Sequence, residues 1–102
     1  MASVKKVKIK NFILDVDGVL TTGQMFYTAE GKVMKVYGAD DSDGLGLLRD
    51  KLTIHMVSGD KRGFPITKKR IVDMGYPIDL VSTFERVQWI EQRFNLKETV
   101  YM

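Results

Sequence analysis

The sequence predicts a three-layer, Rossmann-like α/β domain: a parallel sheet with helices on both faces, from which a β-hairpin protrudes. Three observations predict it. Strand-like and helix-like segments alternate as strand, hairpin, helix, strand, helix, short strand, helix, strand, and such alternation implies a parallel sheet covered by helices. The segments "VKIKNFIL" (residues 7–14) and "LTIHMV" (52–57) contain continuous apolar runs, as expected of strands buried on both faces. Between them, "QMFYTAEGKVMKVY" (24–37) places two β-rich runs around Ala29, Glu30 and Gly31.

Taken in order, residues 7–14 open with apolar and lysine alternation and close in an apolar run that delivers Asp15 to the carboxyl end of the first strand. Segment 24–37 reads as a hairpin with Gly31 at the left-handed position of a three-residue loop. "DGLGLLRDKL" (43–52) reads as a short helix, with Asp43 as N-cap and Leu45, Leu48 and Leu52 at helical spacing. Residues 65–74 form a second helix with Pro65 in its first turn and Gly75 closing it. After "PIDLV", Ser82 and Glu85 have the spacing of a capping box for a third helix, whose Phe84, Val87, Ile90 and Phe94 make one apolar face. "ETVYM" (98–102) is a last strand.

A chain of 102 residues is one domain's worth, spanning 1–102 without an internal repeat or linker. With 44% hydrophobic and 28% charged residues, nine glycines and two prolines, it belongs to neither the disordered nor the low-complexity class. The absence of cysteine excludes a disulfide framework and a thiolate metal site, and fits a reducing compartment. The apolar stretch Phe12–Leu14 is too short for a signal-peptide core or a membrane span, so the expected location is cytoplasmic. The net charge of +3 resides partly in "KKVKIK" and "TKKR". Neither run carries the interleaved aromatics of a single-strand binder, so they read as solvated surface, and no nucleic-acid or membrane partner is expected.

The chemistry centres on Asp15 and Asp17. In an extended segment residues i and i+2 point the same way, so the pair would present two carboxylates to one site while Val16 packs on the other side and Gly18 turns the backbone. Two carboxylates so close repel unless a hard divalent cation takes up the charge, leaving one as nucleophile and the other as proton donor. A lone D-x-D-G also fits a simple turn. A calcium loop fails on spacing: with Gly18 or Gly44 as its glycine, the first ligand would be Ile13 or Ala39. Ligands of parallel sheets sit at the carboxyl ends of strands, where "VSGD" (57–60) also falls. Asp43, Gly44 and Gly46 open a helix whose amides could face an anion, although an ordinary N-cap explains Asp43 equally well. His55 lies inside a strand and reads as a packing residue. Met25, Phe26, Tyr27, Met34 and Tyr37 are more apolar surface than a two-stranded ribbon can bury, which points to a partner surface.

The string "ILDVDGVLTTG" (13–23), together with "VSGD" after the second buried strand, resembles the haloacid-dehalogenase-like phosphatases. The hairpin segment "GQMFYTAEGKVMKVYGADDSDGLGLL" is similar to the small cap-free subgroup that includes the KDO 8-phosphate phosphatases and the phosphatase-like tail of sialic acid cytidylyltransferases. This resemblance implies a hydrolase: Asp15 attacks phosphorus to form an aspartyl phosphate, and Asp17 protonates the leaving alcohol and then activates water. It implies Mg²⁺ held by the Asp15 carboxylate and the Asp17 main-chain carbonyl, with Ser58 and Gly59 binding the phosphoryl group of a small, sugar-like phosphate. It further implies a homotetramer assembled through the 24–37 hairpin.

Three departures from the family pattern stand out. Arg86 occupies the region where the resemblance places a lysine that holds the aspartate and phosphate charges together; arginine can pair with phosphate but differs in reach and geometry. Asp60, Lys61 and Arg62 follow Ser58–Gly59 where sugar-phosphate members carry arginine, which points to a different substrate. The resemblance also places Gly-Asp-Asp, the remaining metal ligands, directly after "TVYM", so the domain is expected to lack its C-terminal part and the 102-residue chain to be near-inactive alone. The alternative is a non-catalytic module that oligomerises through the hairpin and keeps the aspartates as a relic. A receiver-like domain phosphorylated on Asp15 fits less well, because its acidic pocket would come from a different chain order.

Overall fold

A computed structural model describes residues 8–38 and 41–102. The strands are β1 (Asn11–Asp15), β2 (Thr21–Thr28), β3 (Gly31–Tyr37), β4 (Thr53–Ser58), β5 (Ile78–Leu80) and β6 (Thr99–Tyr101). The helices are α1 (Asp41–Gly46), α2 (Phe64–Met74) and α3 (Arg86–Arg93), with 3-10 turns at Thr83–Glu85 and Leu96–Glu98. β1 is central in a four-stranded parallel sheet of order β5-β4-β1-β6, and β2 and β3 form a separate antiparallel ribbon.

The two-residue period of the strands builds the layers. Leu14, Ile54 and Met56 pack with Leu45, Ile71 and Tyr76 on the face covered by α1 and α2. Ile13 and Val57, one position out of phase, pack with Val81, Ile90, Trp89 and Phe94 on the α3 face. Helices therefore lie on both faces, as the alternation predicted. Ile13, Met56, Val57 and Ile71 are fully buried, each stabilising by about 1.5–3 kcal/mol.

Several boundaries differ from expectation. β1 begins at Asn11 and runs through Asp15, while Val7, with which the predicted strand opened, lies outside the described residues, as do Lys5 and Lys6 of the basic run and the Ala39 of the calcium test. The hairpin loop is the pair Ala29–Glu30: Thr28 pairs with Gly31, which takes φ +121° as the first residue of β3. α1 starts at Asp41, so Asp43 lies inside its first turn and is not the N-cap. α1 also ends at Gly46, and Leu48 and Leu52 reach the core from turns in which the Leu48 N–H bonds to Leu45 O and the Leu52 N–H to Leu48 O, both at 3.0 Å. α2 is as expected, closed by Gly75 in the left-handed region at φ +89°.

The third helix departs most. Ser82 Oγ accepts the Phe84 N–H at 3.3 Å, and the Glu85 N–H turns to the Ser82 carbonyl at 3.0 Å, so the two sides of the capping box do not form. The 3-10 turn that results advances three residues per turn instead of 3.6 and rotates the predicted stripe. Phe84 is 99% and Val87 66% exposed, while Arg86, Ile90, Trp89 and Phe94 face the sheet. His55 is a packing residue as expected, edge-on to Trp89 at 5.1 Å between ring centres and bonded to Asp79 at 2.7 Å.

Met25, Phe26, Tyr27 and Met34 on the ribbon are exposed, and only Tyr37 of the predicted set packs against the core. Among the described residues no helix is long and apolar enough to cross a membrane.

Candidate active site

β1 and β4 are neighbours, with Asp15 opposite Val57, so Asp15 and Ser58 arrive together at the carboxyl edge of the sheet. The chain then turns sharply. The Val16 carbonyl accepts the N–H groups of Leu20 at 2.9 Å and Thr21 at 3.1 Å, and the Gly18 N–H bonds to Thr21 Oγ1 at 3.0 Å. Gly18 takes φ +80°, a conformation that favours glycine. Val16 is buried as expected, but the extended segment stops at Asp15 and Asp17 sits in the turn. Both aspartates therefore stand at one edge of the sheet, as their i, i+2 spacing implies, but without common partners among the described residues.

Asp15 shares the strand parity of Ile13, the α3 side of the sheet. There Arg86 brings Nη1 to 3.4 Å from Asp15 Oδ2. The guanidinium is buried and itself fixed, Nη2 donating to Val81 O and Nη1 to Tyr101 Oη, both at 2.7 Å. Its Nε is buried without a hydrogen-bond partner among the described residues. Gly59 lies against the same guanidinium: a Cβ there would stand 3.4 Å from Arg86 Nη2 and from Val81 O. Sequence placed Arg86 near the phosphate. The structure puts it beside Asp15 and Gly59.

Asp17 has a different environment. Ser58 Oγ donates to its Oδ2 at 2.8 Å, and the Lys35 ammonium to its Oδ1 at 2.7 Å. Lys35 projects from β3 with only 2% of its side chain exposed, and also reaches Asp60 Oδ2 and Thr67 Oγ1, both at 2.9 Å. Asp60 in turn accepts from Lys32 at 2.8 Å and from the Gly63 N–H at 3.1 Å, and donates its own N–H to Ser58 Oγ at 3.2 Å. Burial alone would lower the pKa of Lys35, but its hydrogen bonds and charge interactions with Asp17 and Asp60 outweigh this and raise it. Burial would likewise raise Asp60. Its bonds from Lys32, Lys35 and the Gly63 amide instead hold the carboxyl well below the usual carboxylate range. A cleft of about 270 Å³ opens beside this network, lined by Asp17, Thr21, Lys32, Lys35 and Asp60 together with Gly23, Gln24 and Met25 of β2.

Of the residues singled out in the sequence, Asp15, Gly59 and Arg86 form one group and Asp17 and Ser58 another, joined through the adjacent residues 58 and 59. Asp43, Gly44 and Gly46 do not line the cleft. Lys35, Lys32 and Thr67 were not anticipated. Asp15 and Asp17 are hard oxygen donors of the kind Mg²⁺ takes, but among the described residues no group of three or more His, Cys, Asp or Glu is placed to hold a metal. The donor set fits a hard cation in kind, with the Asp15 carboxylate and the Asp17 main-chain carbonyl as the groups that would hold it.

No protein-family model matches the chain. It is 37% identical over 83 residues to 3-deoxy-D-manno-octulosonate 8-phosphate phosphatase KdsC of Haemophilus influenzae, covering 80% of this chain and 45% of that protein. Among solved structures it is similar to the cobalt-bound deoxy-D-mannose-octulosonate 8-phosphate phosphatase of Haemophilus influenzae, with a TM-score of 0.75 and 33% identity over 92% of this chain and 57% of that one. The 3-deoxy-D-manno-octulosonate 8-phosphate phosphatase of Moraxella catarrhalis, solved with magnesium, phosphate and KDO, shares the fold at a TM-score of 0.64 and 24% identity, over 91% of this chain and 56% of that one. The chain spans about half the length of the relatives it matches.

Proposed function

We propose that this chain, a homologue of the haloacid-dehalogenase-like KDO 8-phosphate phosphatases that spans part of their length, carries the nucleophile and acid–base half of a cytoplasmic phosphomonoesterase for small sugar phosphates. The observation that carries the reading is that Asp15 ends the central strand beside the end of the next one, where Ser58 bonds to Asp17.

In this reading an Asp15 carboxylate oxygen attacks phosphorus while Arg86 holds its Oδ2. The ester P–O bond breaks as the leaving oxygen takes a proton from Asp17. Asp17 then takes a proton from water, which attacks the aspartyl phosphate and releases inorganic phosphate with Asp15 restored. The Ser58 hydroxyl and the Gly59 N–H meet the phosphoryl oxygens, and Ser58 must turn from Asp17 Oδ2 to do so. Mg²⁺, held by the Asp15 carboxylate and the Asp17 main-chain carbonyl, would neutralise charge on the transferring group.

The complete gene product carrying this chain should lose phosphate release in Asp15→Asn. Asp17→Asn should cost alkyl phosphates more than aryl phosphates, whose leaving groups need less protonation. Full activity in Asp15→Asn removes the mechanism, and equal losses on both esters remove the acid role of Asp17. Residues 1–102 alone should stay near background across a Mg²⁺ titration, because one carboxylate and one main-chain carbonyl fix the ion poorly. Saturable turnover by this chain, lost in Asp15→Asn, would overturn that expectation.

The exposed Met25, Phe26, Tyr27 and Met34 favour a second property, self-association to a tetramer through the hairpin. Without turnover it would make the chain an assembly module. Sedimentation of Phe26→Ser/Met34→Ser should show a smaller species than the unsubstituted protein. A monomer in both cases rules this out.

A further inference from the structure

The hairpin is joined to the site through Lys35, whose bonding is unusual for a lysine on an exposed ribbon. An ammonium has three N–H donors, and all three are used: Asp17 Oδ1 at 2.7 Å, Asp60 Oδ2 at 2.9 Å and Thr67 Oγ1 at 2.9 Å. The acceptors come from three separate places, the turn after β1, the loop after β4 and the first turn of α2. The side chain is 2% exposed. A lysine so saturated and so buried has no proton left for an incoming phosphate or sugar, which sets it apart from Lys32, whose one acceptor among the described residues is Asp60.

We propose that Lys35 is a positioning residue for Asp17: it occupies Oδ1, so that Oδ2, the oxygen shared with Ser58, is the one that exchanges protons with the leaving group and with water, and it ties the hairpin to the site. The chemistry rests on the phosphatase reading above; the clasp itself does not. Asp17 sits in a turn whose Gly18 has φ +80°, and with Ser58 turned toward a phosphoryl group Lys35 is, among the described residues, the remaining bond that fixes the rotation of its carboxylate. The proton bookkeeping is unchanged by Lys35, which stays charged throughout. Oδ2 gives its proton to the ester oxygen as the P–O bond breaks and regains one from the attacking water.

Two arms test this. In residues 1–102, Lys35→Met should speed amide hydrogen exchange across 21–37 by about 10-fold or more and shift the Ser58 and Asp17 resonances, leaving the protection of β1 and β4 intact. Lys35→Arg should fall between the two. If Lys35→Met does not fold, Lys35→Met/Asp60→Asn removes one of the two carboxylates that lose this cation, the other negative charge being left to Asp17, and gives the same readings. In the complete gene product, Lys35→Met should lower kcat for an alkyl phosphate roughly 10- to 100-fold, the cost of misplacing a reacting group, with KM within about 2-fold. Its effect should largely vanish in an Asp17→Asn background. A rise in KM at constant kcat would make Lys35 a substrate contact and overturn the proposal, as would unchanged hairpin exchange and unchanged resonances. A gene product that releases no phosphate at all sinks the phosphatase reading instead, and the exchange arm still decides whether the clasp exists.

Discussion

Asp15 and Asp17 are two residues apart and are anchored in opposite ways. Asp15 faces a guanidinium built into the body of the domain: Arg86 is buried on α3, bonded to Val81 O and Tyr101 Oη, and 3.4 Å from the carboxylate. Asp17 is gripped more closely, at 2.7 Å, by an ammonium delivered from the protruding ribbon. Arginine is a planar fork that packing can lock, whereas lysine is a point charge on a flexible stem. The candidate nucleophile is thus fixed to the core, while the candidate acid–base depends on an element that carries its apolar residues on the outside. A nucleophile needs one position for attack. A group that gives and takes protons needs one oxygen aimed at the ester, and Lys35 holds the other.

The anchoring of Asp15 is most exposed to test at Arg86. Arg86→Met removes a buried cation and strands the Val81 carbonyl, the Tyr101 hydroxyl and the Asp15 carboxylate. Breaking one side of a buried pair typically costs about 3–5 kcal/mol, and Asp15 is 31% exposed, which places the loss at the low end, about 3 kcal/mol. Chemical denaturation of residues 1–102 should show this as a fall in global stability. A loss below about 1 kcal/mol would mean that Asp15 is held by solvent and strand geometry, and the contrast with Asp17 would collapse.

A smaller effect follows from Asp60, on the hairpin side. Its carboxyl is held below the ordinary value of 3.8, first against its own burial and then by Lys32, Lys35 and the Gly63 amide. A depressed carboxyl contributes stability that is fully present above the unfolded-state value and is lost as pH falls through the lower folded value. NMR positions of β3 amides should stay constant from about pH 7 down to about pH 4 and move only in stronger acid. Asp60→Asn should reduce that movement. Movement beginning near pH 6 would show that another group controls the attachment.

What the sequence revealed and what it hid follow from the range of each interaction. Asp15 and Ser58 were legible because each stands directly after an apolar run, with Asp17 and Gly59 within two residues of them, and strand ends at the carboxyl edge are dictated locally. Lys35 was not. In "GKVMKVY" it is one of two lysines among apolar residues and reads as the solvated side of a ribbon; its acceptors are 18, 25 and 32 positions away. Phe84 and Val87 failed for a local reason: Ser82 capped a 3-10 turn and shifted the phase of the helix that follows. Arg86 was legible as a residue and illegible as a contact, since only the burial of α3 against Ile13 and Val57 decides which carboxylate it meets.

The finest form of the comparison removes one neutral partner from each cation. Tyr101→Phe keeps the ring, 5.9 Å from the Arg86 guanidinium, and deletes the hydroxyl that accepts from Nη1 at 2.7 Å. Thr67→Val keeps the shape of a fully buried side chain and deletes the hydroxyl that accepts from Lys35 at 2.9 Å. Each loss should be about 1 kcal/mol, the usual net worth of such a bond, but it should surface in different places. Arg86 belongs to the α3 layer, so Tyr101→Phe should lower global stability and leave exchange across 21–37 unchanged. Lys35 fastens the ribbon, so Thr67→Val should raise exchange across 21–37 by about 5-fold, the equivalent of 1 kcal/mol, with β1 and β4 protected as before. Both substitutions acting globally, or both acting only on the hairpin, would show that the two anchors belong to one cooperative unit and that the division between them is not energetic.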